Sequence, residues 1–264
     1  MSLIDRIETG IDCLDSMFNG GLPRGSVISI KGQHGSGKSI FGRQFLAHGC
    51  QKFNETSLLI ILEEDVRELI ASSFVFGWDF EHLAERQQFF IIDLTPKRNT
   101  SNDSLQEFIF PEGYAFIQRK EYSPANFNTI IERLIKDILP ARMVIDSITP
   151  ILMMHTDVFC ARGWMAELVT ILKQNGTTTM LVSERTYPPD FDMIDLSITD
   201  GIISLNVHRV GNSKLRYLEI EKMRKTKHTM SPIVFRIREG GITIYPDEPI
   251  FSNAKTTRNG YKIL

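Results

Sequence analysis

The 264-residue sequence predicts an α/β protein with a central, mostly parallel twisted sheet flanked by helices, and three observations predict it. Apolar runs rich in β-branched residues alternate with helical stretches from about residue 26 to residue 182, as in a sheet whose crossover helices shield both faces from water. From Ile202 the texture changes to strand-like runs joined by short turns, which predicts an antiparallel C-terminal extension of the same sheet. Between the first strand and the first long helix lies GQHGSGKS, residues 32 to 39, which reads as a phosphate-binding loop.

The first strand is Ser26-Val27-Ile28-Ser29-Ile30, and Ser39 to Leu46 opens an apolar-periodic helix, so the loop has its required setting. In such a loop the backbone N–H groups turn inward around a polyphosphate. Lys38 then reaches the β- and γ-phosphates and the Ser39 hydroxyl completes a Mg2+ shell. Gly35 and Gly37 stand where the backbone must approach the phosphates closely. A second strand, residues 56 to 62, ends at Glu63 and Glu64 and precedes a helix from about Asp65 to Phe76. Next come a strand at Phe89 to Asp93, a helix around Phe127 to Leu139 and a strand at Met143 to Asp146. A helix near Ala161 to Gln174 and a strand at Thr177 to Val182 follow. The last strands are expected in Ile202 to Val210, Lys214 to Lys222 and Ile233 to Tyr245, turning at Gly211-Asn212-Ser213 and Gly240-Gly241. Residues 96–124 are too long for an ordinary connection and mix charges with aromatics, which predicts an inserted or mobile loop. No Pro/Gly/Ser-rich linker marks a second domain, so residues 1–264 are expected to form one unit, with 247–264 as its tail.

Thirty basic and thirty-two acidic side chains leave no global field that would draw the chain onto nucleic acid or an anionic membrane. No apolar run is long enough to span a bilayer, and MSLIDRIETG lacks the pattern of a signal peptide; a cytoplasmic protein without membrane insertion is expected. Cys13, Cys50 and Cys160 are far apart and form no CxxC pair, which argues against a disulfide framework or a cysteine metal site.

Hydrolysis at the loop needs a metal-shell carboxylate and a base. Asp146 closes an apolar strand and can hold Mg2+ through water, although an aspartate before Ser147 and Thr149 can also cap the next helix. Glu63 and Glu64 end their strand where a carboxylate can orient or deprotonate water attacking a γ-phosphorus. First-turn charge favouring the helix dipole is the competing role, and it is expected for one of the two.

The segments TGIDCLDSMFNGGLPRGSVISIKGQHGSGKS, LLIILEEDVRELI, FGWDFEHL, VIDSIT and KMRKTKHTMSPIVFRIREGGITIYP occur in an order that resembles a single KaiC domain of the RecA-like P-loop ATPases, across nearly the whole chain. The single-domain archaeal KaiC-like proteins look most similar. The resemblance implies a RecA-like P-loop fold, ATP and Mg2+ bound between adjacent subunits, and a homo-oligomer that is usually a hexameric ring. Position by position, it assigns Gly32, Gln33, His34, Gly35, Ser36, Gly37, Lys38, Ser39 and the adjoining Ile40 to the triphosphate, and Ser39 and Asp146 to the metal. It makes Glu63 and Glu64 the catalytic pair. It sends Lys222, Met223 and Arg224 into the neighbouring subunit's site, with the two cations on the γ-phosphate, and sets Thr226 and His228 near that nucleotide's sugar and base. Two cations two residues apart share one face of a strand and can neutralise charge that develops in phosphoryl transfer.

The departures matter too. KaiC proper has two such domains in tandem and this sequence has one, so timekeeping does not follow. Leu196-Ser197-Ile198-Thr199-Asp200 keeps one of the two adjacent hydroxyls that KaiC phosphorylates, so autokinase activity on Ser197 or Thr199 is not expected. Ser183-Glu184 replaces the glutamine that ends the corresponding strand of RecA recombinases. Three roles stay open: a regulatory ATP-hydrolysing ring acting on an unknown protein client, a RecA/RadA paralogue on single-stranded DNA, and a nucleotide-switched scaffold. The acidic residues Asp103, Glu107, Glu112 and Glu121, and Asp190, Asp192, Asp195 and Asp200, offset the cations of the two segments that would meet DNA, and so disfavour it.

Overall fold

The computed structural model describes residues 4–95, 122–185, 194–210 and 213–249. In chain order the elements are β1 (Arg6–Ile7), α1 (Asp12–Met17), β2 (Leu22–Pro23), β3 (Val27–Gly32), α2 (Lys38–Phe53), β4 (Ser57–Ile61), α3 (Val66–Phe74), α4 (Phe80–Glu85) and β5 (Phe89–Asp93). After them come α5 (Pro124–Ile138), β6 (Arg142–Asp146), α6 (Thr149–Leu152), α7 (Val158–Gln174), β7 (Thr178–Glu184), α8 (Asp195–Ile198), β8 (Gly201–Val210), β9 (Ser213–Met223), β10 (Ile233–Arg238) and β11 (Gly241–Tyr245). The expectations for 96–121, 186–193, Gly211, Asn212 and 250–264 fall outside the described residues.

Among the described residues the main sheet has nine strands in the order β11-β10-β9-β8-β3-β7-β6-β4-β5. All pairings from β8 to β5 are parallel, and β9, β10 and β11 add antiparallel strands at the other side. The fold is thus the expected one, with β7 standing between the loop strand β3 and the Asp146 strand β6. Side chains alternate across the pleat, so each parallel strand feeds two cores. Ile28 and Ile30 of β3 join Phe41, Phe45 and Leu46 of α2 on one face. Val27, Leu58, Ile60 and Ile145 meet α5 and α7 on the other.

Local sequence explains the covering helices. In α5, Phe127, Ile131 and Ile135 recur every four residues and are buried, while Ser123 and Pro124 start the helix. In α7, Ala161, Trp164, Met165, Leu168, Val169 and Leu172 form the buried stripe, and the Asp157 carboxylate accepts from the Cys160 N–H at 2.9 Å. The loop helix α2 is buried on nearly every side, polar residues included. Its Gln44 donates to the Gly10 and Ile242 carbonyls and accepts from the Ile242 N–H at 2.7 Å, which joins the helix to the antiparallel strands.

Arg142 opens β6 and is fully buried. Its guanidinium donates to Glu55 (2.6 Å), the Glu8 carbonyl (2.6 Å) and the Phe45 carbonyl (2.9 Å), and it lies 4.6 Å from the centre of the Phe45 ring. Burial draws its proton affinity down while Glu55 opposes that, so removing either partner would leave a buried charge alone. The start of β6 is pinned in this way, and its far end carries Asp146.

Candidate nucleotide site

The loop between β3 and α2 owes its shape to its glycines. Gly35 (φ +73°) and Gly37 (φ +109°) occupy the left-handed region, which a side chain would strain. A Cβ on Gly32 would run into the Leu205 carbonyl and the Ser36 hydroxyl. Open space surrounds the Cβ position of Gly35. Ser36 is buried and its Oγ has no hydrogen-bond partner, and Lys38 is buried with its Nζ 3.1 Å from the Gln33 carbonyl. An orphaned hydroxyl, an ammonium folded against its own loop and an open cradle form the donor set that a phosphate chain requires.

Carboxylates surround this loop. Asp146, at the end of β6, accepts a hydrogen bond from Ser39; burial pushes its carboxyl up, with Ser39, Arg43 and Lys38 pulling the other way. The Asp146–Ser147 peptide bond is cis. Ser39 and Asp146 therefore meet, as a shared Mg2+ shell demands. Asp146 does not serve as the cap of α6: that helix has Ile148 at its N-cap, and the Thr149 N–H bonds to the Ser147 hydroxyl at 3.1 Å.

Glu63 and Glu64 follow β4 and precede α3. Asp65 is the N-cap of that helix, accepting from the Arg67 and Glu68 N–H groups, and the two glutamates precede it. Burial raises the Glu63 carboxyl; Ser147 opposes this by hydrogen bonding, Glu184 and Asp146 reinforce it, and Lys38 weakens it. Glu64 is also raised by burial, against the nearby Arg43 charge. The Arg43 guanidinium is 3.6 Å from Glu64 and also donates to the Ser39 carbonyl (3.3 Å) and the Ser72 hydroxyl (2.8 Å), so one buried cation ties Ser39 to Glu64.

Two residues absent from the sequence assignment enter here. One is Arg43. The other is Glu184, the last residue of β7, whose carboxylate is 3.7 Å from Lys38 and 3.5 Å from His34 while the Thr149 hydroxyl holds its N–H at 2.9 Å. Its place at a strand end beside the loop strand was the available signal; the periodicity of helix α2 hid Arg43 among core positions.

Lys222, Met223 and Arg224 stand elsewhere. Met223 pairs with Gly201, and Gly201 with Ile28, at the start of β3. The loop leaves β3 at Gly32, four residues further along, or roughly 13 Å at strand rise. The two cations thus lie at the opposite edge of the sheet from their own loop. Lys222 donates to the Thr199 carbonyl at 2.5 Å, and burial followed by Arg224 lowers its proton affinity against the pull of Asp200. The Arg224 guanidinium is 3.4 Å from the Ser197 carbonyl and 3.9 Å from Asp200. Arg6 of β1 fixes the next turn by donating to the Thr226 hydroxyl and the Lys225 carbonyl, each at 3.0 Å, and His228 is half-buried 3.0 Å from the Thr229 carbonyl. The Ser197 hydroxyl accepts from Arg162 at 2.8 Å at this same edge.

With this geometry in view, the profile of the family described as "ATPase: KaiC" matches residues 7–249. The chain belongs to the KaiC ATPase family. It is 31% identical over 249 residues to the circadian clock oscillator protein KaiC of Parathermosynechococcus lividus, covering 92% of this chain and 43% of that protein. The KaiC of Synechococcus elongatus is 30% identical, at 92% and 44% coverage. The chain thus spans about half the length of the curated KaiC relatives it matches. The crystal structure of a KaiC-like protein from the hyperthermophilic archaeon Pyrococcus horikoshii OT3 superposes with a TM-score of 0.75 at 30% identity, covering 92% of this chain and 100% of that one. Membership of the KaiC family supports a nucleotide-binding ATPase of the RecA-like type. No helix of the described residues is long and apolar enough to cross a membrane.

Proposed function

We propose that this KaiC-family chain is a Mg2+-dependent ATPase that turns over slowly in a cytoplasmic homo-oligomeric ring, hexameric in the simplest form, with each nucleotide held between two subunits. One ATPase unit spans the chain, and its ATP state regulates a protein client. The observation that carries this reading is the separation of the two cationic half-sites. Lys38 sits in the loop, whereas Lys222 and Arg224 lie a strand length away at the other edge of the sheet, a separation that supports their acting on a triphosphate held by another copy.

In this mechanism residues 32–40 wrap the triphosphate and Lys38 draws charge from its terminal phosphates. Ser39 and Asp146 would hold a Mg2+ ion, whose charge would offset that of the phosphates. A carboxylate of the Glu63 and Glu64 pair takes a proton from water as the new O–P bond forms and the bond to the leaving ADP breaks. Their raised proton affinity makes them better bases near neutral pH than ordinary carboxylates. Lys222 and Arg224 of the adjacent subunit neutralise the γ-phosphoryl oxygens, and Thr226 and His228 flank the nucleoside. Glu184 competes for Lys38, which favours slow turnover. Transfer to Ser197 is a minor route at most; intact mass after incubation with ATP should not shift.

The test is particle mass with and without Mg·ATP, beside ATPase rates of the wild type, Glu63→Gln, Glu64→Gln and Arg224→Ala. Assembly with ATP and loss of turnover in Arg224→Ala and at least one glutamate variant are expected. A persistent monomer, or four equal rates, would sink the proposal.

A further inference from the structure

One row of the antiparallel extension touches the phosphate loop at three alternate residues. Val207 of β8 pairs with Arg216 of β9, and Arg216 pairs with Phe235 of β10. Along that row the Gln33 side chain donates to the Val207 carbonyl at 2.9 Å, and the Arg216 guanidinium is 3.4 Å from the Gly35 carbonyl. Beside Gly37 a Cβ would lie 3.8 Å from the Phe235 ring and 3.1 Å from Ile237. The Arg216 Nε is buried with no hydrogen-bond partner, so the packed stem holds a guanidinium with spare donor capacity against the loop. Strand β9 then runs from Arg216 to Lys222, six residues or roughly 20 Å at strand rise, and delivers the finger at the far edge.

We infer that Arg216 is a positioning residue that braces the phosphate loop through Gly35 and, with Gln33, couples the loop of one subunit through β9 to the Lys222–Arg224 segment offered to the next. The inference rests on the shared-site reading above. A loop that tightens around a triphosphate pulls on Gln33 and Gly35. Both ties end on the Val207–Arg216 row, and the β8–β9 ladder is continuous from there to its irregularity at Ile202 and Ile203, next to Lys222. The strand pair is a contiguous element that both sites can bias. Nucleotide in one site therefore orders the finger that completes the neighbouring site.

Rings of isotope-labelled wild-type subunits diluted into an excess of Lys38→Ala subunits, and cross-linked at their interfaces so that they persist without nucleotide, separate this effect from assembly and from direct contact, because each labelled finger then faces a loop with impaired nucleotide binding. Adding Mg2+ and a non-hydrolysable ATP analogue should slow hydrogen exchange of residues 218–224 in the labelled subunit by about fivefold or more. With Arg216→Ala in the labelled subunit the slowing should vanish at saturating analogue while KM for ATP rises about tenfold, and Arg216→Lys should restore part of both. Gln33→Ala, which leaves the sheet intact, should weaken the coupling in the same direction. Unchanged exchange in wild-type subunits, or slowing that survives Arg216→Ala, would overturn the inference. The shared-site reading fails separately, if Lys222→Ala and Arg224→Ala rings hydrolyse ATP at the wild-type rate.

Discussion

The two edges of the central sheet carry opposite chemistry. At the carboxyl edge, Glu63, Glu64, Asp146 and Glu184 crowd the phosphate loop, with Lys38 and Arg43 among them and Arg216 against the Gly35 carbonyl. At the amino edge, Lys173, Lys222 and Arg224 gather around Asp200, whose carboxylate also accepts from the Val27 N–H. Among these groups carboxylates outnumber cations at the first edge, and cations outnumber carboxylates at the second. On the proposed reading a triphosphate at the carboxyl edge would meet donors but also several carboxylates, and Lys222 and Arg224 of another copy would supply further positive charge. The physical lesson is that an electrostatically unbalanced half-site predicts its own complement, and strand register says whether one chain can supply it.

The largest effects should divide binding from turnover. Lys38→Ala at the carboxyl edge should weaken ATP binding by about 100-fold or more, read by calorimetry or a fluorescent nucleotide. Arg224→Ala at the amino edge should change binding several-fold at most but lower kcat by roughly a thousandfold, as removal of an arginine finger does. Equal losses of binding from both variants would erase the distinction between the edges.

A smaller effect tests the charge excess itself. Burial raises the Asp146 carboxyl, so the folded chain holds that proton more tightly than the unfolded chain does. Stability from this group is present at low pH and is lost as pH rises through the folded value, which leaves a penalty at neutral pH. Asp146→Asn should therefore raise Tm of the nucleotide-free protein by about 2–4 °C at pH 7 while abolishing Mg2+-dependent turnover. The gain in Tm should shrink as pH falls below the ordinary aspartate value of about 4, where the carboxyl becomes protonated in the unfolded chain as well.

The smallest effect concerns spacing. A Cβ on Gly42 would meet Val144 at 2.9 Å, so Gly42→Ala should push α2 from β6 and cost about 1–3 kcal/mol in a denaturant melt. Gly163→Ala, on α7 with open space at its Cβ, should instead stabilise by roughly 0.5–1 kcal/mol.

Much of this was legible in the chain. The strands of the main sheet announced themselves as β-branched apolar runs, and β10 and β11 divide at Gly240-Gly241 as their turn residues require. The short elements α1, α4, α6 and α8 and the two-residue strands β1 and β2 carry too few residues to show a period, and tertiary packing forms them. That the loop, Asp146 and the glutamate pair lie together could be read because strand ends announce themselves locally. Glu184 and Arg43 join the site only because β7 lies between β3 and β6 and α2 is buried all round, which are facts of strand order and packing. The side chain that caps the helix is Asp65, one residue after the glutamate pair.

The claim that the two edges of neighbouring chains form one site can be tested by mixing subunits. The Glu63→Gln/Glu64→Gln double variant keeps its amino-edge cations and Arg224→Ala keeps its glutamates, and each alone should be nearly inactive. Co-assembled in equal amounts, they should recover about a quarter of the wild-type ATPase rate, because one interface in four then pairs an intact loop half with an intact finger. A mixture no more active than the average of its two components would contradict the shared site.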